Sequence, residues 1–164
     1  MISYLNKDYA TFLKFRKESL SLDLLEQEFN LRLPPIFRAF VQNFEGIIGD
    51  VYLDENNELQ TLTYYKYEAH EIKNMDLMFT DFLDIEQVFE SYNNNDIWFD
   101  NGVVPITEHD HGGTILLGIR EENQDKLYFE YSNGLEYIEN NIFSFLKNLK
   151  FVFDYDEVKE NIYI

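Results

Sequence analysis

The sequence predicts a single α+β domain over residues 1–164, in which helices from both ends of the chain pack on a largely antiparallel sheet of about five or six strands. Apolar residues recur at helical spacing in residues 1–50 and again near the C-terminus. Between them, residues 51–131 contain short runs that are rich in β-branched and aromatic side chains. Hydrophobic residues make up 45% of the 164, which is enough for one core.

The N-terminal part of the chain is predicted to contain three helices. Ser21 is a suitable N-cap for the second helix, and Pro34 and Pro35 preset the first turn of the third. Gly46 is expected to end the third helix. The apolar positions that carry the pattern are Tyr9, Phe12 and Leu13, then Leu24, Leu25 and Phe29, then Ile36, Phe37, Phe40, Val41 and Phe44.

The middle of the chain changes to strand patterning. Residues 51–53 and 59–67 are predicted to form a hairpin around the polar turn of residues 55–57. A short helix follows, because Asp84 suits the N-cap position and Gln87 suits the third helical position of a capping box.

Three further strands are predicted in meander order, over residues 103–107, 114–120 and 126–131. They are separated by the turn-forming residues 111–113 and 121–125. A closing helix is indicated by the helical spacing of Ile142, Phe145, Leu146 and Leu149.

Charge is strongly negative and unevenly distributed. The net charge is −18, and between Lys73 and Arg120 there is no other lysine or arginine although nine acidic residues lie there. Such a surface opposes binding to nucleic acid and to anionic membranes, and it favours a basic protein partner. The alternative is that the acidity only maintains solubility.

The chain has no cysteine, which excludes disulfides and thiol nucleophiles and is compatible with the cytoplasm. Charged residues interrupt its first twenty positions, so a signal peptide is not predicted. No segment approaches the roughly 20 apolar residues that a membrane helix needs. We therefore expect a cytoplasmic protein that spans no membrane, and the sequence specifies no oligomeric state.

The best candidate for chemistry is a pair of histidines. In an extended segment His109 and His111 would lie on one face and could hold a metal, with His70 or a carboxylate as a third ligand. The alternative, which the sequence favours, is an ordinary polar turn in which Gly112 and Gly113 supply positive φ. No serine lies in a G-x-S-x-G motif and no glycine-rich phosphate loop is present. We predict no catalytic residue, no bound metal and no cofactor.

The best candidate for binding is the aromatic segment around Trp98. It is predicted to be a loop in which Trp98 and Phe99 lie between Asp96 and Asp100. A tryptophan surrounded by carboxylates resembles a protein-binding hot spot for a basic partner, although core packing explains most aromatic residues.

Three segments resemble those of a known family. They are Leu33-Pro34-Pro35 with the helix that ends in Asn43-Phe44-Glu45-Gly46, the strand Val104-Pro105-Ile106-Thr107 that leads into Asp110-His111-Gly112-Gly113-Thr114, and the closing helix of residues 141–149. In order and spacing the chain is similar to the SUKH superfamily, which includes fungal cell-wall-synthesis regulators and bacterial immunity proteins. The resemblance covers about residues 20–149 and leaves residues 150–164 as an acidic C-terminal extension. The family's Asn-Gly-Gly after the Leu-Pro helix is replaced here by Asn43-Phe44-Glu45-Gly46, and its Gly-Asn before the central strand is replaced by Gly112-Gly113.

The resemblance implies a non-enzymatic protein-binding domain. Its bacterial members are typically encoded beside a toxin, often a nuclease, and neutralise this cognate toxin by direct binding, whereas its fungal members imply a scaffold or regulator of cell-wall synthesis or signalling. We expect an immunity protein that binds a basic toxin through residues 74–119. In this interface Trp98 would be the anchor, and the charge partners would be Asp96, Asp100, Glu108 and Asp110.

Overall fold

A computed structural model describes residues 13–46, 50–53, 59–61, 64–72, 75–79, 82–92, 96–108, 113–131 and 134–152. The helices in these segments are α1 (Asp23–Glu28), α2 (Pro35–Asn43), α3 (Ile85–Ser91), α4 (Asp96–Asn101) and α5 (Ile142–Lys147). The strands are β1 (Leu13–Phe15), β2 (Phe44–Gly46), β3 (Asp50–Leu53), β4 (Leu59–Thr61), β5 (Tyr64–Ile72), β6 (Met75–Phe79), β7 (Val103–Pro105), β8 (Thr114–Gly118), β9 (Leu127–Tyr131), β10 (Gly134–Glu139) and β11 (Leu149–Val152).

The largest sheet in the described segments has four antiparallel strands in the order β10-β9-β8-β7. It is a meander in which each strand pairs with the next along the chain, as the short turns between them predict. Smaller antiparallel ladders join β11-β5-β6, β3-β4 and β1-β2. The α+β class is confirmed, but the main sheet is smaller than the predicted five or six strands because the other strands form ladders of their own.

The core lies between one face of this sheet and helices α1, α2, α3 and α5. Phe129 of β9, Phe89 of α3 and Phe145 of α5 are all fully buried in it. Alternation along β9 places Leu127 and Phe129 on this inner face. Since burying a large apolar side chain stabilises the fold by about 2 kcal/mol, this layer holds the helices on the sheet.

The opposite, outer face of the sheet is also covered where β7 and β8 lie. Leu116 is fully buried although Ile115 and Leu117, its neighbours in β8, point into the core on the other side. Val103 of β7 is buried in the same way beside the core residue Val104. Helix α4 packs against β7. The sheet is therefore covered on both faces at this edge.

The N-terminal part differs from the prediction. Leu13 belongs to β1 instead of a helix, because β1 pairs antiparallel with β2, while residues 1–12 lie outside the described segments. Helix α1 begins after Leu22, so Ser21 is not its N-cap. Gly46 lies opposite Leu13 in β2, since the chain already becomes extended at Phe44, whose ring packs 4.7 Å from that of Phe15.

The middle of the chain follows the prediction in part. Strands β3 and β4 form the predicted hairpin, but the expected second strand is divided between β4 and β5, which belong to different ladders. The capping box of α3 is confirmed, because the Asp84 N–H donates to the Gln87 side chain at 2.9 Å. Gly113 has a φ of +123°, and a Cβ there would collide with the carbonyl oxygen of Glu130. The predicted turn of residues 55–57 lies outside the described segments.

The turn between β8 and β9 reaches helix α2 through one carboxylate. Asp125 has a φ of +63° and is only 5% exposed. Its Oδ1 accepts the N–H of Phe37 at 2.9 Å, and its Oδ2 accepts the N–H of Ile36 at 3.2 Å. Because Pro34 precedes the helix and has no capping side chain, Asp125 satisfies the first free donors of α2 from 88 residues away. An anion at this end also complements the helix dipole.

We predict that Asp125→Gly lowers the free energy of unfolding by about 2 kcal/mol, because it tolerates the positive φ but leaves the buried N–H of Phe37 and the partly buried N–H of Ile36 without their acceptor. Asp125→Asn keeps one side-chain acceptor and should lower the free energy of unfolding by about 1 kcal/mol. Urea denaturation measures both, with the exposed Glu90→Ala of α3 as a control that changes stability by less than about 0.5 kcal/mol. Equal stability of Asp125→Gly and Glu90→Ala would show that this cap is unimportant.

Candidate protein-binding surface

Helix α4 carries most of the predicted binding residues. The segment predicted to be a loop is a short helix, Asp96–Asn101, and this corrects the prediction. Ile97 is 52% exposed and Phe99 is 45% exposed, and the carboxylates of Asp96 and Asp100 are exposed with them. We call these four residues the α4 surface. The sequence predicted large apolar side chains between two acidic residues here, with Trp98 as the main one. The structure has this arrangement, but the two exposed apolar side chains are Ile97 and Phe99.

Trp98 itself has a different position from Ile97 and Phe99. It is half-buried, and its indole N–H donates to Oε2 of Glu130 in β9 at 2.6 Å. Glu130 points to the outer face, because the neighbouring Phe129 points into the core. A charged acceptor makes this a strong hydrogen bond, so Trp98 fastens α4 to the outer face of the sheet.

The C-terminal end of α4 is held by the β8–β9 turn. Arg120 donates from Nη1 to the carbonyl of Asp100 at 2.8 Å and from Nη2 to the carbonyl of Phe99 at 2.5 Å. The side-chain amide of Asn123 donates to the carbonyls of Asn101 and Gly102, both at 3.1 Å. The N–H of Gly102 also donates to the carbonyl of Phe99 at 3.1 Å, so Arg120 and Asn123 add side-chain donors at the end of the helix, where a cation complements the helix dipole.

Gly102 is required where α4 passes into β7. Its φ is +62°, a conformation that other residues adopt with strain. A Cβ at this position would also collide with the aliphatic part of the Arg120 side chain. The close approach of Arg120 to the helix end therefore depends on this glycine.

Two predicted charge partners lie beyond β7. Glu108 is exposed and follows Thr107, whose Oγ1 accepts the N–H of Ile115 at 3.0 Å. Thr114, the residue before Ile115 in β8, pairs with Glu130, and Glu130 accepts the N–H of Trp98. Glu108 therefore leaves the sheet near the end of the strands at which Trp98 is held. Asp110 lies outside the described residues, as do His109 and His111.

Two tyrosines on the outer face of β9 and β10 were not singled out by the sequence. Tyr137 is 46% exposed and meets Tyr128 edge to face with ring centroids 6.2 Å apart. Burial, the neighbouring Tyr137 hydroxyl and the Glu122 carboxylate all raise the pKa of Tyr128, so its hydroxyl stays neutral near pH 7. The sequence signal for β10 was the apolar residues Leu135, Tyr137 and Ile138, which follow the turn-forming sequence Ser132-Asn133-Gly134.

The described residues offer no sign of metal chemistry or of a membrane segment. No group of three or more histidine, aspartate and glutamate side chains lies close enough in the described part of the chain to hold a metal ion. Nor does any helix in those segments have the length and hydropathy to cross a membrane.

Comparison with known proteins identifies the family. The model of the SMI1 / KNR4 family (SUKH-1) matches residues 19–148, which is 130 of the 164 residues. The chain belongs to the SUKH-1 family. The resemblance inferred from the sequence is confirmed, and the matched range agrees with the expected one to within one residue at each end. No curated protein and no solved structure matches the chain.

Membership of the SUKH-1 family supports a protein-binding role of the immunity or cell-wall-regulator type. The family is generally non-catalytic. Two of the segments that carried the resemblance have clear structural roles in this protein. Leu33 and Pro34 are buried at the start of α2, where Asp125 caps the helix, and Val104 and Ile106 lie in the core.

We predict that Arg120→Ala loosens α4 and exposes Trp98, because the carbonyl of Asp100 loses its side-chain donor and that of Phe99 keeps only the N–H of Gly102. Trp98 is the only tryptophan, so its fluorescence reports on α4 alone. Quenching by acrylamide should increase in Arg120→Ala, with a loss of about 1.5 kcal/mol in stability. Arg32→Ala removes an exposed arginine that makes no such bonds and should leave quenching unchanged. Equal quenching in both variants would contradict this role of Arg120.

Proposed function

We propose that this protein is an immunity protein that neutralises a cognate bacterial toxin in the cytoplasm by binding it directly through the α4 surface. The observation that carries the proposal is the exposure of Ile97 and Phe99 between Asp96 and Asp100 on a helix whose end is firmly held. Large apolar side chains that a fold leaves exposed in one place are typical of an interaction site.

The anchoring of α4 favours tight binding. Side chains on a preorganised helix lose less conformational entropy on association than side chains on a mobile loop. Trp98 and Arg120 hold α4 through contacts that leave Ile97 and Phe99 exposed. In this interface Ile97 and Phe99 supply the apolar contact, and Trp98 supports it from beneath through Glu130.

The charge of the protein favours a basic partner. Asp96 and Asp100 flank the apolar pair, and Glu108 and Asp110 add carboxylates in a stretch of the sequence without lysine or arginine. A nuclease toxin needs a basic surface to hold nucleic acid, and such a surface is complementary to the α4 surface. Binding there would cover the basic surface and exclude the toxin's substrate without any chemistry by this protein.

The competing proposal is a regulator of cell-wall synthesis or signalling, which family membership supports equally. The two differ in what the α4 surface binds. Co-expression of this protein with the product of the neighbouring gene separates them, because an immunity protein restores growth to cells that produce its toxin. Failure to restore growth, with recovery of cell-wall or signalling proteins on immobilised wild-type protein, would favour the regulator.

We predict that Ile97→Ser combined with Phe99→Ser weakens binding to the cognate toxin by about 100-fold, because the apolar centre of the interface is lost. Isothermal titration calorimetry measures the change, and circular dichroism checks that the variant is folded. The control is Leu24→Ser, which removes an 81% exposed side chain from α1 and should bind normally. An unchanged affinity of the double variant would mean that α4 is not the interface.

The acidic residues should contribute mainly to the association rate. Asp96→Lys combined with Asp100→Lys should slow association by about tenfold at low salt, and the difference should shrink at about 0.5 M salt as screening shortens the attraction. Glu28→Lys, an exposed position of α1, is the matched charge control.

Trp98→Ala combined with Asp100→Lys should also weaken binding, and normal affinity of that variant would exclude this helix from the interface.

A further inference from the structure

A second surface lies between α2 and the β8–β9 turn. It is a groove of about 570 Å³, and its lining includes Arg32, Pro34, Pro35, Arg38, Arg120 and Gln124. We call it the arginine groove. Three of the four arginines in the whole sequence line it, in a protein whose net charge is −18. We propose that the arginine groove binds an acidic, extended segment of a protein partner.

The three arginines differ in how far they are already engaged. Arg38 forms ion pairs with Glu26 at 2.7 Å and with Asp23 at 3.0 Å, so much of its charge is neutralised. Arg120 donates hydrogen bonds to backbone carbonyls. These bonds use its N–H groups, but they do not neutralise its positive charge. Arg32 is exposed, and none of the acidic side chains in the described segments pairs with it. Arg32 therefore offers its whole guanidinium to a ligand.

The chemistry of the groove fits carboxylates. A guanidinium binds a carboxylate through two parallel N–H donors, which Arg32 offers, whereas Arg120, whose Nη1 and Nη2 already donate to backbone carbonyls, adds its positive charge to the lining. The surface beside them is apolar at Pro34, Pro35 and Ala39, which suits the backbone and aliphatic parts of a peptide. The only acidic side chain in the lining is Glu121.

The overall negative charge does not prevent this contact. At physiological ionic strength charges beyond about 8 Å are largely screened, so a short acidic segment responds mainly to the side chains of the groove. A long polyanion such as nucleic acid extends past the groove and meets the acidic surface. The volume of about 570 Å³ lies within the range of ligand-binding clefts and suits a few residues of peptide.

This inference is separate from the toxin-binding role of the α4 surface, although Arg120 contributes to both places. A test must therefore leave Arg120 unchanged, since its loss disturbs α4. It must also leave Arg38 unchanged, because that side chain links α2 to Asp23 and Glu26 of α1. Arg32→Gln changes the charge of the groove alone.

The experiment measures fluorescence anisotropy of a labelled octapeptide of alternating glutamate and alanine, titrated with the protein of residues 1–164. The same peptide with glutamine in place of glutamate is the uncharged probe. We expect the glutamate peptide to bind and the glutamine peptide not to, with binding weakened by added salt. Arg32→Gln should weaken binding about tenfold, whereas Lys17→Gln, an exposed cation outside the groove, should leave it unchanged.

Three results would overturn the proposal. The first is no binding of the glutamate peptide to the wild-type protein. The second is equal binding of the glutamate and glutamine peptides, which would show that the carboxylates are not recognised. The third is an equal effect of Arg32→Gln and Lys17→Gln, which would place the contact outside the groove. Because Arg32 and Lys17 are both exposed, both variants should fold.

Discussion

The structure depends on the polar contacts made by one short turn, residues 119–126 between β8 and β9. Asp125 caps the start of α2, and Arg120 and Asn123 cap the end of α4. Asn123 also accepts the N–H of Arg120 at 2.9 Å and so holds the turn together. A buried carboxylate and a buried amide are costly to desolvate, and here each is satisfied by backbone groups of a helix. The turn thereby fixes α2, which packs on the inner face of the sheet, and α4, which packs on its outer face.

This arrangement explains how a six-residue helix can form a binding surface. An isolated helix of that length is unstable in water, so α4 needs contacts outside itself. Trp98 supplies one through Glu130, and Arg120 and Asn123 supply the others. The apolar side chains between these contacts need not be buried to hold the helix in place. About half of the Ile97 and Phe99 side chains stays exposed, and the ring of Phe99 also packs 5.5 Å from that of Tyr92.

Much of the fold could be predicted from local sequence signals. The Asp84 capping box, the meander of β7, β8 and β9, and the buried face of α5 at Ile142, Phe145 and Leu146 depend on residues close together in the chain, and all are present. Leu149, predicted to continue that helix, lies instead in β11, because it pairs with Tyr67 of β5. The error at Leu13 has a different origin, because pairing with β2 overrides its local pattern. The cap on α2 joins residues 88 positions apart, and no spacing rule indicates it. In the candidate site, composition drew attention to residues 96–100, but only tertiary contacts decide that Trp98 faces the sheet while Ile97 and Phe99 face outwards.

The central claim is that α4 is the part of this SUKH-1 protein that contacts its partner. Hydrogen exchange followed by mass spectrometry, with and without the product of the neighbouring gene, measures this directly along the whole chain. We expect the partner to slow exchange in the peptide that contains residues 96–101, while exchange in α1 stays the same. Slower exchange in α1 with no change at α4 would place the interface elsewhere and contradict the claim.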